Sequence, residues 1–200
     1  MLSPGHRHLA SRLPAKGWSP DEALIVDCTA VPRFGLRGRG SCDWLRADGV
    51  ALPETVNRAT VDANGILAMR LGANEAVLSG DAGGRSSLAA LRRRWADAGG
   101  RNGYDGFRED GWAHVLVSGK RAFELMAEMA EVDFRPASMP VGHVAQTRAL
   151  HLDAVIVRTD RFGPFGCELF FDITSKPFFI DALARLDTGY RLLVAGPAPA

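Results

Sequence analysis

Apolar residues recur along this chain in two rhythms. Runs rich in Val, Ile, Leu and Phe at 66–71, 76–78, 113–117, 149–157 and 168–173 have the length and composition of strands. Elsewhere the spacing is helical. Leu88, Leu91 and Trp95 fall at i, i+3 and i+7 and make one buried stripe, which leaves Arg92, Arg93 and Arg94 for solvated faces. Phe179, Leu183 and Leu186 supply a second stripe, on a helix that Ser175 can cap and whose first turn accommodates Pro177. Asn64-Gly65, Gly72-Ala-Asn74 and Asp160 to Gly163 carry the turn residues that separate the strands.

The same plan is written twice. Phe34-Gly-Leu-Arg-Gly-Arg-Gly-Ser-Cys-Asp-Trp-Leu reads as a strand that turns at Gly38 into a helix, and His114-Val-Leu-Val-Ser-Gly-Lys-Arg-Ala-Phe-Glu-Leu-Met does so at Gly119. Superposing the two glycines pairs Arg39 with Lys120, Asp43 with Glu124, Trp44 with Leu125 and Leu45 with Met126, which extends the repeat into the helix. Gly99, Gly100, Gly103 and Gly106 are dense enough to break helix and strand alike and so mark a connection. The expected organisation is a single domain, 1–200, with an irregular arm over 1–20. Its pseudo-repeat halves are 21–98 and 107–194, joined by 99–106. Strand, helix, two or more strands, helix is the order of a split βαβ unit. It predicts an α+β fold of duplicated halves, with antiparallel sheets covered by outer helices.

Composition narrows the function classes. With 46% hydrophobic and 24% charged residues the chain has the means to build a packed core. Its formal charge of +1 provides no field for nucleic acid or an anionic membrane. Cys28, Cys42 and Cys167 are far apart and form no CxxC pair, so free thiols in a reducing cytoplasm are expected. No run has the length of a signal peptide core or a membrane span.

No catalytic motif emerges. Ser118-Gly-Lys-Arg lacks the spacing and the hydroxyl of a phosphate loop, Gly35, Gly38 and Gly40 lack that of GxGxxG, and no GxSxG elbow occurs. His6 and His8 belong to the arm, and His114, His143 and His151 are scattered, so no metal site is expected. Cys42, early in a helix, and Cys28 are candidate thiolates without an assigned base. Arg33, Arg37 and Arg39 recur with period two. They form either a basic patch for an acidic ligand or subunit, or an ordinary exposed face.

Certain segments, in order, resemble a known family. Ile25-Val-Asp-Cys-Thr, Gly35-Leu-Arg-Gly-Arg-Gly with Trp44-Leu45, Gly49-Val-Ala-Leu-Pro53 with Asn57, and Leu71-Gly-Ala-Asn-Glu75 open the series. Val117-Ser-Gly119, Val132-Asp-Phe134, Met139-Pro140, Thr147-Arg148 and the helix near Pro177 to Leu186 continue it. Together they resemble the gamma subunit of heterotetrameric sarcosine oxidase over most of 24–187. That subunit is similar to the folate-binding domain of the glycine-cleavage aminomethyltransferases. The resemblance therefore implies interlocked antiparallel sheets, and a complex in which partner subunits hold FAD, FMN, NAD and tetrahydrofolate and oxidise an N-methylated amine.

Departures from the aminomethyltransferase pattern bear on activity. Anchored on Gly166 and Glu168, the stretch Arg158-Thr-Asp-Arg-Phe-Gly-Pro-Phe-Gly-Cys-Glu168 puts Pro164 where the resemblance implies a folate-contacting glutamate. Proline offers a pterin neither charge nor side-chain hydrogen bond. Gly65-Ile-Leu-Ala-Met-Arg-Leu is apolar where the enzymes carry acids. The leading expectation is a non-catalytic, structural gamma-type subunit with no catalytic residue of its own. The alternative is a stand-alone binder of folate or a similar one-carbon carrier, held through Arg148, Arg158 and Glu168. A free-standing aminomethyltransferase ranks third. Glu168, among Leu169, Phe170 and Phe171, is expected to pair with an arginine.

Overall fold

The computed structural model describes residues 23–80, 85–98, 102–162 and 165–194. The expected arm 1–20 with His6 and His8, together with Gly99, Gly100, Gly163, Pro164 and the tail from Gly196, lies outside them. Contacts divide the chain into two compact units, one formed by Val31–Gly111 and the other by the segments on either side of it.

The Val31–Gly111 unit holds β2 (Arg33–Arg39), α1 (Ser41–Ala47), β3 (Arg58–Val61), β4 (Leu67–Gly72), β5 (Glu75–Ser79), α2 (Arg85–Asp97), β6 (Asn102–Asp105) and the short α3 (Arg108–Gly111). Its five strands lie in the order β3-β4-β5-β2-β6, all antiparallel. Leu88, Leu91 and Trp95 pack with Leu45, Phe34, Leu36 and Leu78 in one core, so the helical spacing read from the sequence is the buried stripe of α2. Trp44 meets Trp95 edge-on, centroids 5.0 Å apart.

The second unit holds β1 (Ala23–Asp27), β7 (Trp112–Ser118), α4 (Ala122–Met129), β8 (Val144–Ala149), β9 (Leu152–Thr159), β10 (Gly166–Asp172), a 3₁₀ turn (Ile173–Ser175), α5 (Lys176–Leu183) and β11 (Tyr190–Val194). Its sheet runs β11-β1-β7-β10-β9-β8. Every pairing in it is antiparallel except β1 with β11, which is parallel. Leu125, Met126, Phe179 and Leu183 from the helices pack with Val115, Val117, Leu169 and Phe171 from the strands.

The duplication is visible in the strand orders. Reading β7, β8, β9, β10 and β11 for β2, β3, β4, β5 and β6 converts one sheet into the other, with β1 inserted between β7 and β11. Gly38 and Gly119 occupy equivalent junctions at φ 110° and 100°, a backbone region that L residues with a Cβ rarely enter. The unit boundaries depart from the sequential halves because β1 pairs with β7 and β11, at the far end of the sequence.

Other expectations change in instructive ways. The run 149–157 is two strands, not one: β8 and β9 join through Leu150 and His151, at φ 48° and 67°, which is the left-handed geometry that two-residue hairpins require. The glycine-rich connection contains β6, in which Gly103 lies so close to Ser41 and Trp95 that an added Cβ would sit 3.1 Å from the indole. There glycine permits a strand to approach a helix. Ser175 makes no side-chain cap; Asp172 accepts from the Thr174 N–H ahead of the helix, whose last residue is Leu183. Leu186 lies beyond the helix yet still packs on the core.

Candidate functional site

Alternation along β10 decides where its one glutamate points. Cys167, Leu169 and Phe171 join the helix-covered core, which sends Glu168 and Phe170 to the opposite face. On that face β7 places His114 beside Phe170 and β9 places Thr159 beside Gly166. Glu168 is completely buried. Its Oε1 accepts from Thr159 Oγ1 at 3.0 Å and Arg161 Nε at 2.7 Å, and its Oε2 from Arg161 Nη2 at 2.6 Å and His114 Nε2 at 2.8 Å. Burial by itself raises the carboxyl pKa; the charge and hydrogen bonds of Arg161, with the His114 contact, outweigh it and hold Glu168 down at about 2. An ionised carboxylate only accepts, so the His114 nitrogen is the donor. The His114 ring stacks on Phe170, centroids 4.3 Å apart.

The three residues proposed as ligand contacts do not converge. Arg158, paired with Cys167, projects to the face opposite Glu168. There it is buried, donates to the Gly166 carbonyl at 2.6 Å and the Met139 carbonyl at 3.4 Å, and lies 4.8 Å over the Phe123 ring. Its guanidinium is used to hold a turn. Arg148 stands on the edge strand β8, exposed, with Nη2 donating to the His151 carbonyl at 2.9 Å.

Arg148 does line a cavity of about 530 Å³, with Trp112, Gln146, Asp153, Phe170 and Asp172 around it. Phe170 lines this cavity and also stacks on His114. One guanidinium and two carboxylates give the lining a net negative charge. A second cavity of about 210 Å³, lined by Val50, Ile66, Leu88 and Leu91, lies in the other unit and is flanked by the Arg94–Asp48 ion pair at 2.6 Å.

The remaining candidates resolve individually. All three thiols are buried; burial pushes Cys42 up and Cys167 to about 12, so the helix start at Cys42 does not make it a thiolate. Of the period-two arginines, Arg33 is buried and donates to the carbonyls of Val31, Arg108 and Glu109, while Arg37 and Arg39 are exposed. Among the described residues no group of three His, Cys, Asp or Glu could hold a metal ion. Leu67, Ala68 and Met69 of the apolar stretch on β4 are buried. The arginine expected beside Glu168 is Arg161; two further features escaped the sequence reading, the His114 and Thr159 partners of Glu168 and the pairing of Asp27, whose carboxylate accepts from Lys176 Nζ at 2.6 Å. A His and a Glu inside otherwise apolar strands were the available signal for the first, since a buried polar group needs a partner.

No family model and no curated protein matches the sequence. Solved structures do. A chain of the heterotetrameric sarcosine oxidase from Corynebacterium sp. U-96, in complex with pyrrole 2-carboxylate, aligns at TM-score 0.68 and 18% identity over 96% of this chain and 98% of that one. The glycine cleavage system aminomethyltransferase T from Bartonella henselae aligns at TM-score 0.60 and 16% identity over 88% of this chain and 48% of that one. The fold is aminomethyltransferase-like. It is thus the fold that the resemblance implied, an α+β folate-binding-domain architecture shared with a chain of sarcosine oxidase. The chain spans about half the length of the aminomethyltransferase. Among the described residues no helix is long and apolar enough to cross a membrane.

Proposed function

We propose that this chain is a non-catalytic, gamma-type subunit of a sarcosine oxidase-like flavoprotein complex that oxidises an N-methylated amine. The observation that carries the reading is the alignment over 96% of this chain and 98% of a chain from such a complex. The chemistry of Glu168 agrees with it. A carboxylate that accepts four hydrogen bonds and is held at about 2 is too weak a base and too fully occupied to transfer protons at neutral pH. FAD, FMN, NAD and tetrahydrofolate belong to the partner subunits, and the three buried free thiols suit a reducing cytoplasm.

Co-expression with the proteins encoded beside it is the test. The expected result is one flavin-coloured species containing this chain, with no turnover of an N-methylated amine by the chain alone. Elution by itself, or turnover in isolation, sinks the reading.

A second reading, a stand-alone binder of folate or a similar carrier, draws on the 530 Å³ cavity, which offers Trp112 and Phe170 as stacking surfaces and Arg148 as a cation. The residues present do not fit a folate well, because Asp153 and Asp172 line the same cavity and would repel its carboxylates. Calorimetric titration with tetrahydrofolate separates the two: heat of binding to the isolated chain favours the carrier.

A further inference from the structure

The period-two arginines of β2 are divided by the fold, and the exposed pair faces a particular neighbour. Tyr104 is paired directly with Arg37, and Asn102 with Arg39, so their side chains share one face of the sheet. The strand that carries Tyr104 and Asn102, β6, is the outermost of its sheet among the described residues. The Arg37 side chain is 58% exposed and Tyr104 56% exposed.

Just beyond β6, Phe107 is 71% exposed and held at φ 49°, its N–H donating to Asp105 Oδ1 at 2.8 Å. A bulky residue in the left-handed region and an aromatic ring in water are each unfavourable. Backbone strain of this kind clusters at functional sites.

The charge on this face is one-sided. Arg37 and Arg108 share the carboxylate of Glu75, at 3.7 and 2.6 Å, while Asp105 is engaged by Arg92 at 3.3 Å. Two guanidinium groups thus meet one carboxylate, and Arg39, on the same strand face as Arg37, adds an exposed third. Tyr, Phe and Arg are the residue types that concentrate binding energy in protein interfaces.

We propose that this face of the Val31–Gly111 unit is where the chain docks on its partner. It takes an extended acidic segment of a partner polypeptide, running beside β6 with carboxylates on Arg37 and Arg39 and apolar side chains over Tyr104 and Phe107. A polypeptide is favoured over nucleic acid because the whole chain is nearly neutral, at +1. The proposal rests on the subunit reading above and specifies the surface which that reading requires.

The experiment uses the full chain co-expressed with its flavoprotein neighbours and measures affinity for the purified partner. Arg37→Glu/Arg39→Glu and Tyr104→Ala/Phe107→Ala are each expected to weaken the complex at least about tenfold, and added salt to weaken the wild-type complex. Arg37→Lys/Arg39→Lys should retain most of the affinity. Hydrogen exchange of the wild-type chain, which requires no substitution, should slow at 102–107 on complex formation. Unchanged affinity in both double variants, or no protection at 102–107, overturns the assignment of this surface and leaves the subunit reading standing. No complex even with wild type overturns both. Tight retention on a single-stranded DNA oligonucleotide that Arg37→Glu/Arg39→Glu abolishes also overturns the assignment to a polypeptide.

Discussion

Glu168 accepts from a guanidinium, an imidazole and a hydroxyl at once, and its energetic weight lies in keeping Arg161 compensated inside the protein. Glu168→Gln leaves that buried guanidinium without its counter-charge and should cost about 3–5 kcal/mol of unfolding free energy in a urea titration. The pH dependence follows from a carboxyl pKa lowered from 4.5 to about 2. This stabilisation is complete above pH 4.5 and is lost as pH falls toward 2, an effect of about 3 kcal/mol for such a shift. Glu168→Gln should accordingly make the acid limb of a stability-versus-pH curve shallower; an unchanged limb would refute the assignment. The thiols provide a second check. Cys28, Cys42 and Cys167 are buried, and burial raises the pKa of the latter two, so a thiol reagent at neutral pH should label none of the three until denaturant is added.

The strand-to-helix turns are where one backbone position matters most for the elements. Gly38 sits at φ 110°, and an added Cβ would lie 2.7 Å from the Asn102 carbonyl oxygen and 2.8 Å from Gly103 Cα, backbone atoms that cannot step aside. Gly40, at φ 80°, has open space around the same position. Gly40→Ala should cost only the left-handed conformation, about 1 kcal/mol, whereas Gly38→Ala should cost clearly more, about 3 kcal/mol or above, because strain and collision add. Thermal unfolding of the two variants side by side reads the difference. Legibility varied among elements for similar reasons. The stripe Leu88, Leu91, Trp95 and the junctions at Gly38 and Gly119 could be read directly, since side-chain period and glycine at a tight turn are local properties. The Leu150-His151 hairpin could not, because neither residue type prefers φ 48° or 67° and the pairing of β8 with β9 imposes it. Nor could β6, in which glycine serves close packing against Ser41 and Trp95 where the sequence offered a breaker.

For the molecule as a whole, the subunit and carrier readings differ in what stabilises the isolated chain. A ligand present at about a hundred times its Kd adds about 2.7 kcal/mol to folding, which a thermal shift assay detects easily. Tetrahydrofolate is expected to leave the melting midpoint of this chain unmoved, and the purified flavoprotein partner to raise it. A shift with tetrahydrofolate alone would return the cavity of Trp112, Arg148 and Phe170 to the centre of the account. The site was less legible than the fold. Arg148, Arg158 and Glu168 are all charged residues of neighbouring strands, yet pairing and alternation send Arg158 and Glu168 to opposite faces and leave Arg148 at the rim.

By itself the sequence determined the local grammar: which stretches alternate, which repeat at helical spacing, where a glycine must turn the chain, and that two stretches follow the same plan. Those properties depend on interactions between residues near one another in the chain. Tertiary structure alone decided that β1 enters the sheet between β7 and β11, that His114, Thr159 and Arg161 enclose Glu168, and that of three arginines on one strand one is buried and two face water. Each is a matter of which distant strand lies alongside, and therefore of what solvent is excluded from a side chain, a quantity that no window of local sequence contains.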